Sequence, residues 1–463
     1  MQIGRKDVAW NFAATSLRIA SGVIVMPLSL HLLSNQDIGL WGIFLTIGTL
    51  TTLLDFGFSN SFSRNITYIF SGARELKAEG FVAVNRENAS VDYGLLKSVI
   101  AAMRRYYGIL ALSFLLLFAL AGTEYMLSVL KQYTGNKTNV LIAWTLYGIL
   151  VCYQLYTYYY DSLLQGRGYV KRSKQITIIA QCTQIVVIVI CLLSGLGLIS
   201  MVLGLLISVI VARTLSYVTF YDKELRHELH KPNTKPIGEI MKIMTPNSVK
   251  IGLTTLGGFF ITKASMLIAP MFLPLSDIAS FGITKQMTDL ISVIGGLWFS
   301  TYYPQIIQYR ISENVLGIKR LYLKSNLCMI AVFIVGGLGL LIIGEPMMTF
   351  IHSKTHLLNQ GSISVLLFFA LLDVNASLSM SSLLTKNEVP FVKSLLLTGA
   401  LTFILLLVFL KTGLGTLGMI LAPAISQSLY LNWKWPITVI HELKINTDDY
   451  WKILKGIKHD LRT

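Results

Sequence analysis

The sequence predicts an all-α polytopic membrane protein of about twelve transmembrane helices, and three observations carry that expectation. Hydrophobic residues fill 54% of the 463 positions and charged residues only 13%, too few to cover a water-soluble surface of this size. Twelve apolar runs approach or exceed the roughly 20 residues that a hydrocarbon core requires. Lys and Arg are also confined to alternate connections: 31 lie on one set of loops and ends and four on the other. This bias places both termini in the cytoplasm.

The runs fall near 8–33, 37–60, 107–130, 139–162, 174–196, 198–220, 247–269, 276–301, 322–344, 362–385, 391–410 and 413–433. Arg5 and Lys6 lead directly into the first, with no cleavage-site pattern, so no cleavable signal is expected. Between the second and third runs, Tyr93 to Tyr106 has the character of a helix extending the third span. Between the sixth and seventh, Lys231-Pro232 and Lys235-Pro236 break any continuous helix. The expected organisation is an N-terminal six-helix bundle over 1–220, a cytoplasmic linker over 221–246, a C-terminal six-helix bundle over 247–433 and a basic, amphipathic cytoplasmic tail over 434–463. That tail suits either a partner protein or the anionic leaflet.

The halves echo each other. Asp37-Ile38-Gly39-Leu40-Trp41-Gly42-Ile43 opens the second span and Asp277-Ile278-Ala279-Ser280-Phe281-Gly282-Ile283 the eighth, four of seven positions being identical at an offset of 240. Ser162-Leu163-Leu164 and Ser382-Leu383-Leu384 close the fourth and tenth. With six spans in each half, the copies keep one orientation and form parallel repeats about an axis along the membrane normal.

A formal charge of +16 would suggest nucleic acid in a soluble chain, but these cations are spread over many short loops and serve orientation, so no nucleic-acid partner is expected. Cys152, Cys182, Cys191 and Cys328 all lie in apolar stretches, which implies neither disulfides nor metal. His352 and His356 have metal-like spacing without a third ligand nearby, and no metal or other cofactor is expected.

Charge inside the spans is the informative signal. Arg18, Lys263 and Lys285 each lie deep in an apolar segment, where a cation costs roughly 2.5–3.5 kcal/mol unless it faces water, a partner or an anion. Asn11, Thr15, Arg18 and Gly22 follow steps of 4, 3 and 4 and share one helical face. Lys285, Thr288, Asp289 and Ser292 form a second stripe in which Lys285 and Asp289 are placed to pair. Lys263 has no carboxylate three or four residues away. Arg18, Lys263 and Lys285, with Asn11 and Thr15, are therefore expected to bind an anionic substrate. Asp55, Asp161, Asp289 and Asp373 lie within or near spans; the first two sit at span ends where a cap suffices, leaving Asp373 and Asp289 as the ion-coupling candidates. Trp10, Trp41, Trp298, Phe299 and the run Tyr156, Tyr158, Tyr159, Tyr160 suit either interface anchors or platforms for sugars.

The start of span two, Asp37-Ile38-Gly39-Leu40-Trp41, its exit Leu54-Asp55-Phe56-Gly57-Phe58 with Asn60 and Arg64, and Leu163-Leu164-Gln165-Gly166-Arg167-Gly168 after span four resemble the polysaccharide flippases, of the O-antigen or capsule (Wzx) type, in the multidrug/oligosaccharidyl-lipid/polysaccharide exporter superfamily. The resemblance covers essentially the whole chain, with Ile38 standing where relatives often carry Tyr. It implies two pseudo-symmetric six-helix bundles in a V-shaped, MATE-like arrangement and alternating access driven by a proton or sodium ion. It also implies a substrate of the undecaprenyl-pyrophosphate-linked oligosaccharide type, moved across the bacterial cytoplasmic (inner) membrane during polysaccharide biosynthesis, with a polysaccharide polymerase as a partner. A multidrug or organic-cation antiporter would share the architecture but should line its cavity with acids. A membrane-embedded polymerase would need catalytic groups on a sizeable external loop, and the external loops run to no more than about 18 residues. No enzymatic activity is expected.

Overall fold

The computed structural model describes residues 17, 24–76, 91–229, 235–386, 389–446 and 448–450. Every regular element among them is helical. In chain order they are α1 (24–32), α2 (Asn35–Gly48), α3 (Leu50–Asp55), α4 (Phe58–Phe70), α5 (Tyr93–Leu117), α6 (Thr123–Val129), α7 (Lys137–Tyr156), α8 (Tyr159–Gly166) and α9 (Val170–Leu193). There follow α10 (Leu198–Phe220), α11 (Lys223–Glu228), α12 (Ile237–Ile268), α13 (Leu275–Ile311), α14 (Val315–Phe350), α15 (Gln360–Leu384), α16 (Val392–Lys411), α17 (Gly415–Ser428) and α18 (Leu431–Glu442). The protein is an all-α polytopic membrane protein.

Nine of the described helices are long and apolar enough to cross a bilayer. The other three expected spans have identifiable reasons for standing apart. Most of the first lies outside the described residues. The eighth is the 37-residue α13, whose Lys285, Asp289 and hydroxyl residues dilute its apolar character. The twelfth is interrupted at Leu429 and Tyr430, so that α17 spans only 14 residues.

Local chemistry explains the helix starts. Ser34 and Asp37 form a reciprocal capping box at α2, and the Tyr133 hydroxyl donates to the other Asp37 oxygen at 2.7 Å. Burial and the Asp37 carboxylate both hold the Tyr133 hydroxyl well above its ordinary pKa. Asp37 is the third residue of α2 and Asp277 the third of α13, so both copies of the repeated segment open a helix at the same register. Carboxylates in a first turn are favoured by the exposed N–H groups and the macrodipole. Asp92 caps α5, which begins at Tyr93 and extends the third span as expected.

The Asp55-Phe56-Gly57 segment closes the second span, which ends at Asp55 as expected, and does so by a left-handed turn. Phe56 and Gly57 both adopt left-handed backbone, at φ 51° and 76°, and the chain resumes as α4. Gly57 also admits the side chain of Ile251 on α12 so closely that a Cβ would sit 2.7 Å from it. A side chain at this position would thus meet both strain and a clash.

The chain divides into two compact units, residues 1–255 and 256–463, with the division falling inside α12. The stretch 221–246 holds α11 and the first ten residues of α12, and Pro236 sits just before the α12 start. Residue 433 is not an edge either: α18 runs through it, and Trp435, Val439, Leu443 and Ile445 are buried with Tyr322, Leu323, Leu378 and Phe391 in one apolar cluster. The reason is compositional, because Trp435, Val439 and Leu443 recur at helical spacing and form an apolar face. Glu442 fixes this segment by accepting from Arg310 at 2.6 Å and pairing with Lys386 at 2.7 Å.

Candidate functional site

In the C-terminal unit, four ionisable side chains from three helices converge. Lys285 and Asp289 lie one turn apart on α13 and form a direct ion pair, their side chains 33% and 46% exposed. Lys263, half-buried on α12, comes within electrostatic reach of both Asp289 and Lys285. Asp373 on α15 is within reach of Lys285 and Asp289 as well. Its Oδ2 accepts from Gln427 Nε2 on α17 at 2.9 Å, while its buried Oδ1 has no hydrogen-bond partner. The side-chain amide of Asn432 on α18 lies close to Asp373 and has no hydrogen bond of its own. Leaving a buried acceptor unmade costs about 1–3 kcal/mol.

Two cations and two carboxylates therefore occupy one region of the C-terminal unit. Of the second stripe, Thr288 and Ser292 donate to carbonyls one turn back, at 2.9 Å each, which satisfies their hydroxyls within the helix and leaves the ionised pair as the reactive part of that face. Arg18, Asn11 and Thr15, the other expected substrate-binding residues, lie outside the described residues.

The span-end carboxylates have structural partners. Asp55 accepts from the Ser59 amide at 3.1 Å and the Ser59 hydroxyl at 2.7 Å, holding the start of α4, and also from the Tyr107 hydroxyl. Asp161 pairs with Arg213 at 3.1 Å. Arg167, from the Leu163–Gly168 motif, donates to the Phe220 carbonyl at 2.7 Å and to Asp222 at 2.6 Å, placing a cation at the C-terminus of α10. Partial burial would raise the Asp222 carboxyl, but the Leu225 amide and Arg167 outweigh it and hold the group below its ordinary value. His356 contacts Glu345 at 2.7 Å, and among the described residues no cluster of three or more His, Cys, Asp or Glu is placed to hold a metal ion.

The N-terminal unit contains a second constellation. A cavity of about 400 Å³ is lined by Arg104 of α5, by Tyr153, Tyr156, Tyr159 and Tyr160 around the α7–α8 junction, and by Arg213 and Tyr217 of α10. The tyrosine run, read from sequence as anchors or sugar platforms, thus faces two arginines. By position in the sequence, Arg104 and Arg213 belong to the 31 cations whose bias orients the protein. A signal was present in the five tyrosines at 153–160 together with Arg213 and Tyr217 one turn apart, but only packing shows that these groups meet.

No protein-family model and no curated protein matches the sequence. The fold is nevertheless similar to that of a multidrug resistance MATE family transporter of the MOP superfamily in an inward-facing conformation, with TM-score 0.68 and 12% identity over 93% of this chain and 96% of that one. It is similar also to the lipid II flippase MurJ in an inward closed conformation, with TM-score 0.63 and 15% identity over 96% of this chain and 90% of that one. An outward-facing MATE family transporter gives TM-score 0.53 and 14% identity over 95% of this chain and 94% of that one. At these identities the likeness is one of fold.

Proposed function

We propose that the protein is a flippase for a polyprenyl-pyrophosphate-linked oligosaccharide, working by ion-coupled alternating access between two six-helix halves, with both termini in the cytoplasm. The observation that carries this reading is the cluster of Lys263, Lys285, Asp289 and Asp373 inside a helical membrane fold. Ionised groups at such depth are expensive and mark the paths of ions or charged substrates. That one structural neighbour is a lipid II flippase supports a lipid-linked cargo. In this reading Lys263 and Lys285, with Arg18, Asn11 and Thr15 of the first span, receive the pyrophosphate, for which clustered cations in a low-dielectric site are suited. Asp373, with one carboxylate oxygen unclaimed, binds the coupling proton or sodium ion.

A second reading has its own observation. The cluster supplies two carboxylates as well as two cations, and the unclaimed Asp373 oxygen would suit an organic cation in a multidrug antiporter. Reconstituted vesicles separate the two. Flipping of a fluorescent polyprenyl-pyrophosphate oligosaccharide under an imposed proton or sodium gradient, abolished by Lys263→Glu and uncoupled from the gradient by Asp373→Asn, is the expected result. Gradient-driven accumulation of an organic cation with no flipping of the lipid would replace the flippase reading with the antiporter.

A further inference from the structure

The cavity in the N-terminal unit is not used by the function proposed above, and its chemistry is distinct. Arg213 is 8% exposed, and its guanidinium is only partly satisfied: one terminal nitrogen meets Asp161 at 3.1 Å, while the buried Nε has no hydrogen-bond partner. Buried donors are almost always paired, so an orphan Arg N–H on a cavity wall is a position awaiting an acceptor. Across the cavity the Arg104 guanidinium donates to the Tyr221 hydroxyl at 3.2 Å and also reaches the Tyr159 hydroxyl. The two guanidiniums are balanced by the Asp161 carboxylate, whose side chain is 45% exposed. The wall therefore carries net positive charge and forked donors, the geometry that recognises phosphate oxygens.

The tyrosines give the site its second requirement. Tyr153, Tyr156, Tyr159, Tyr160 and Tyr217 line the same space, Tyr156 and Tyr217 as exposed rings and Tyr159 and Tyr160 as buried ones. Tyr159 and Tyr160 are stacked on each other at 4.6 Å, and Tyr156 and Tyr217 meet them edge-on at 6.4 Å each. Ring faces with hydroxyls suit a polyhydroxylated group, which offers both C–H surfaces and polar edges. A volume of about 400 Å³ exceeds what a phosphate alone would fill and lies in the range of small-molecule sites. The lining residues lie at those ends of α5, α7 and α10 that the charge pattern assigns to the cytoplasm.

We infer that this cavity is a binding site for a phosphate-bearing, hydroxylated headgroup, in which Arg104 and Arg213 grip the phosphate and the tyrosines hold the attached group. Two sources carry that chemistry: the diphosphate of a prenyl-linked sugar waiting on the cytoplasmic side, and the phosphodiester headgroup of an anionic membrane lipid. The site stands whether or not the protein is a flippase, because its occupancy is measured by binding rather than by transport.

The test uses the full-length protein in amphipol, titrated with geranyl diphosphate and, separately, with glycerophosphoglycerol, each followed by thermophoresis. At least one probe should bind saturably, and Arg104→Gln and Arg213→Lys should each weaken it about tenfold. Arg213→Lys keeps the charge while removing the fork, and Arg104 is exposed, so that variant retains the fold. Tyr156→Ala, also at an exposed position, should weaken binding about threefold. Stronger binding of geranyl diphosphate identifies the site with the prenyl diphosphate, and stronger binding of glycerophosphoglycerol with the lipid headgroup. If neither probe saturates, or if Arg104→Gln and Tyr156→Ala both bind within about twofold of the unaltered protein, the site is not a phosphate site.

Discussion

Removing the charge of Asp289 tests how the four-charge cluster is held together. Asp289 is the direct partner of Lys285 and lies within reach of Lys263, so Asp289→Asn leaves two cations facing each other with Asp373 as the remaining anion nearby. Two unit charges about 4 Å apart interact by about 4 kcal/mol at an effective dielectric of 20 and about 1 kcal/mol in water. Exposures of 33% and 46% place the pair between those limits, and exposed pairs measure about 0.2–1 kcal/mol. Loss of the shared carboxylate removes the attraction to two cations at once and should therefore destabilise the protein by about 2 kcal/mol. Lys285→Met/Asp289→Asn should recover more than half of that, with a coupling energy of about 1–2 kcal/mol. Unfolding in mixed micelles by graded SDS, followed by circular dichroism, gives each corner of the cycle. A single variant within about 0.5 kcal/mol of the unaltered protein, or a double variant no more stable than the single, would refute the shared-carboxylate account. The same proteins in vesicles separate pairing from coupling: a well-folded double variant that flips lipid under a gradient makes Asp289 a partner for Lys285, and one that stays inactive makes it part of the ion path.

Three further outcomes are expected. A Cβ on Gly257 of α12 would stand 2.6 Å from the Leu395 backbone on α16, so Gly257→Ala should cost about 1–3 kcal/mol in the same SDS titration, and an unchanged midpoint would show that the two helices part freely. Glu442→Gln leaves Arg310 and Lys386 without their shared carboxylate and should destabilise by about 2 kcal/mol, together with earlier protease cleavage around 443–450; resistance equal to that of the unaltered protein would show that the apolar face of α18 suffices to hold the segment. In a background lacking the four native cysteines, a thiol at position 137 should react with an impermeant reagent added to intact cells and one at 171 should not; labelling of 171 from outside would invert the orientation.

How far a feature could be read in the sequence follows from its range. Span positions were legible because a run of about 20 apolar residues is a local property, and α10 occupies Leu198–Phe220, matching the expected 198–220. The Lys285–Asp289 pair was legible because residues four apart share a helical face. The two Asp-led segments were legible as helix starts for the same reason, since a first-turn carboxylate acts on its own turn. Asp55-Phe56-Gly57 was legible as the exit of the second span, which ends at Asp55, whereas the close approach of α12 to this left-handed turn was not.

Relations between helices were decided by the tertiary structure alone. Lys263 was the least explained charge in the sequence because no carboxylate stands three or four positions from it, yet Asp289, 26 positions on, lies within electrostatic reach of it. Arg213 and Asp161, 52 positions apart, pair at the edge of a tyrosine-lined cavity, and Glu442 joins Arg310 to Lys386 from a segment whose charge suited a partner protein or the anionic leaflet. The physical reason is common to all three. Periodicity fixes which side of a helix a residue occupies, but the depth, rotation and neighbour of that helix are set by side-chain packing between elements distant in sequence, and no local pattern encodes them.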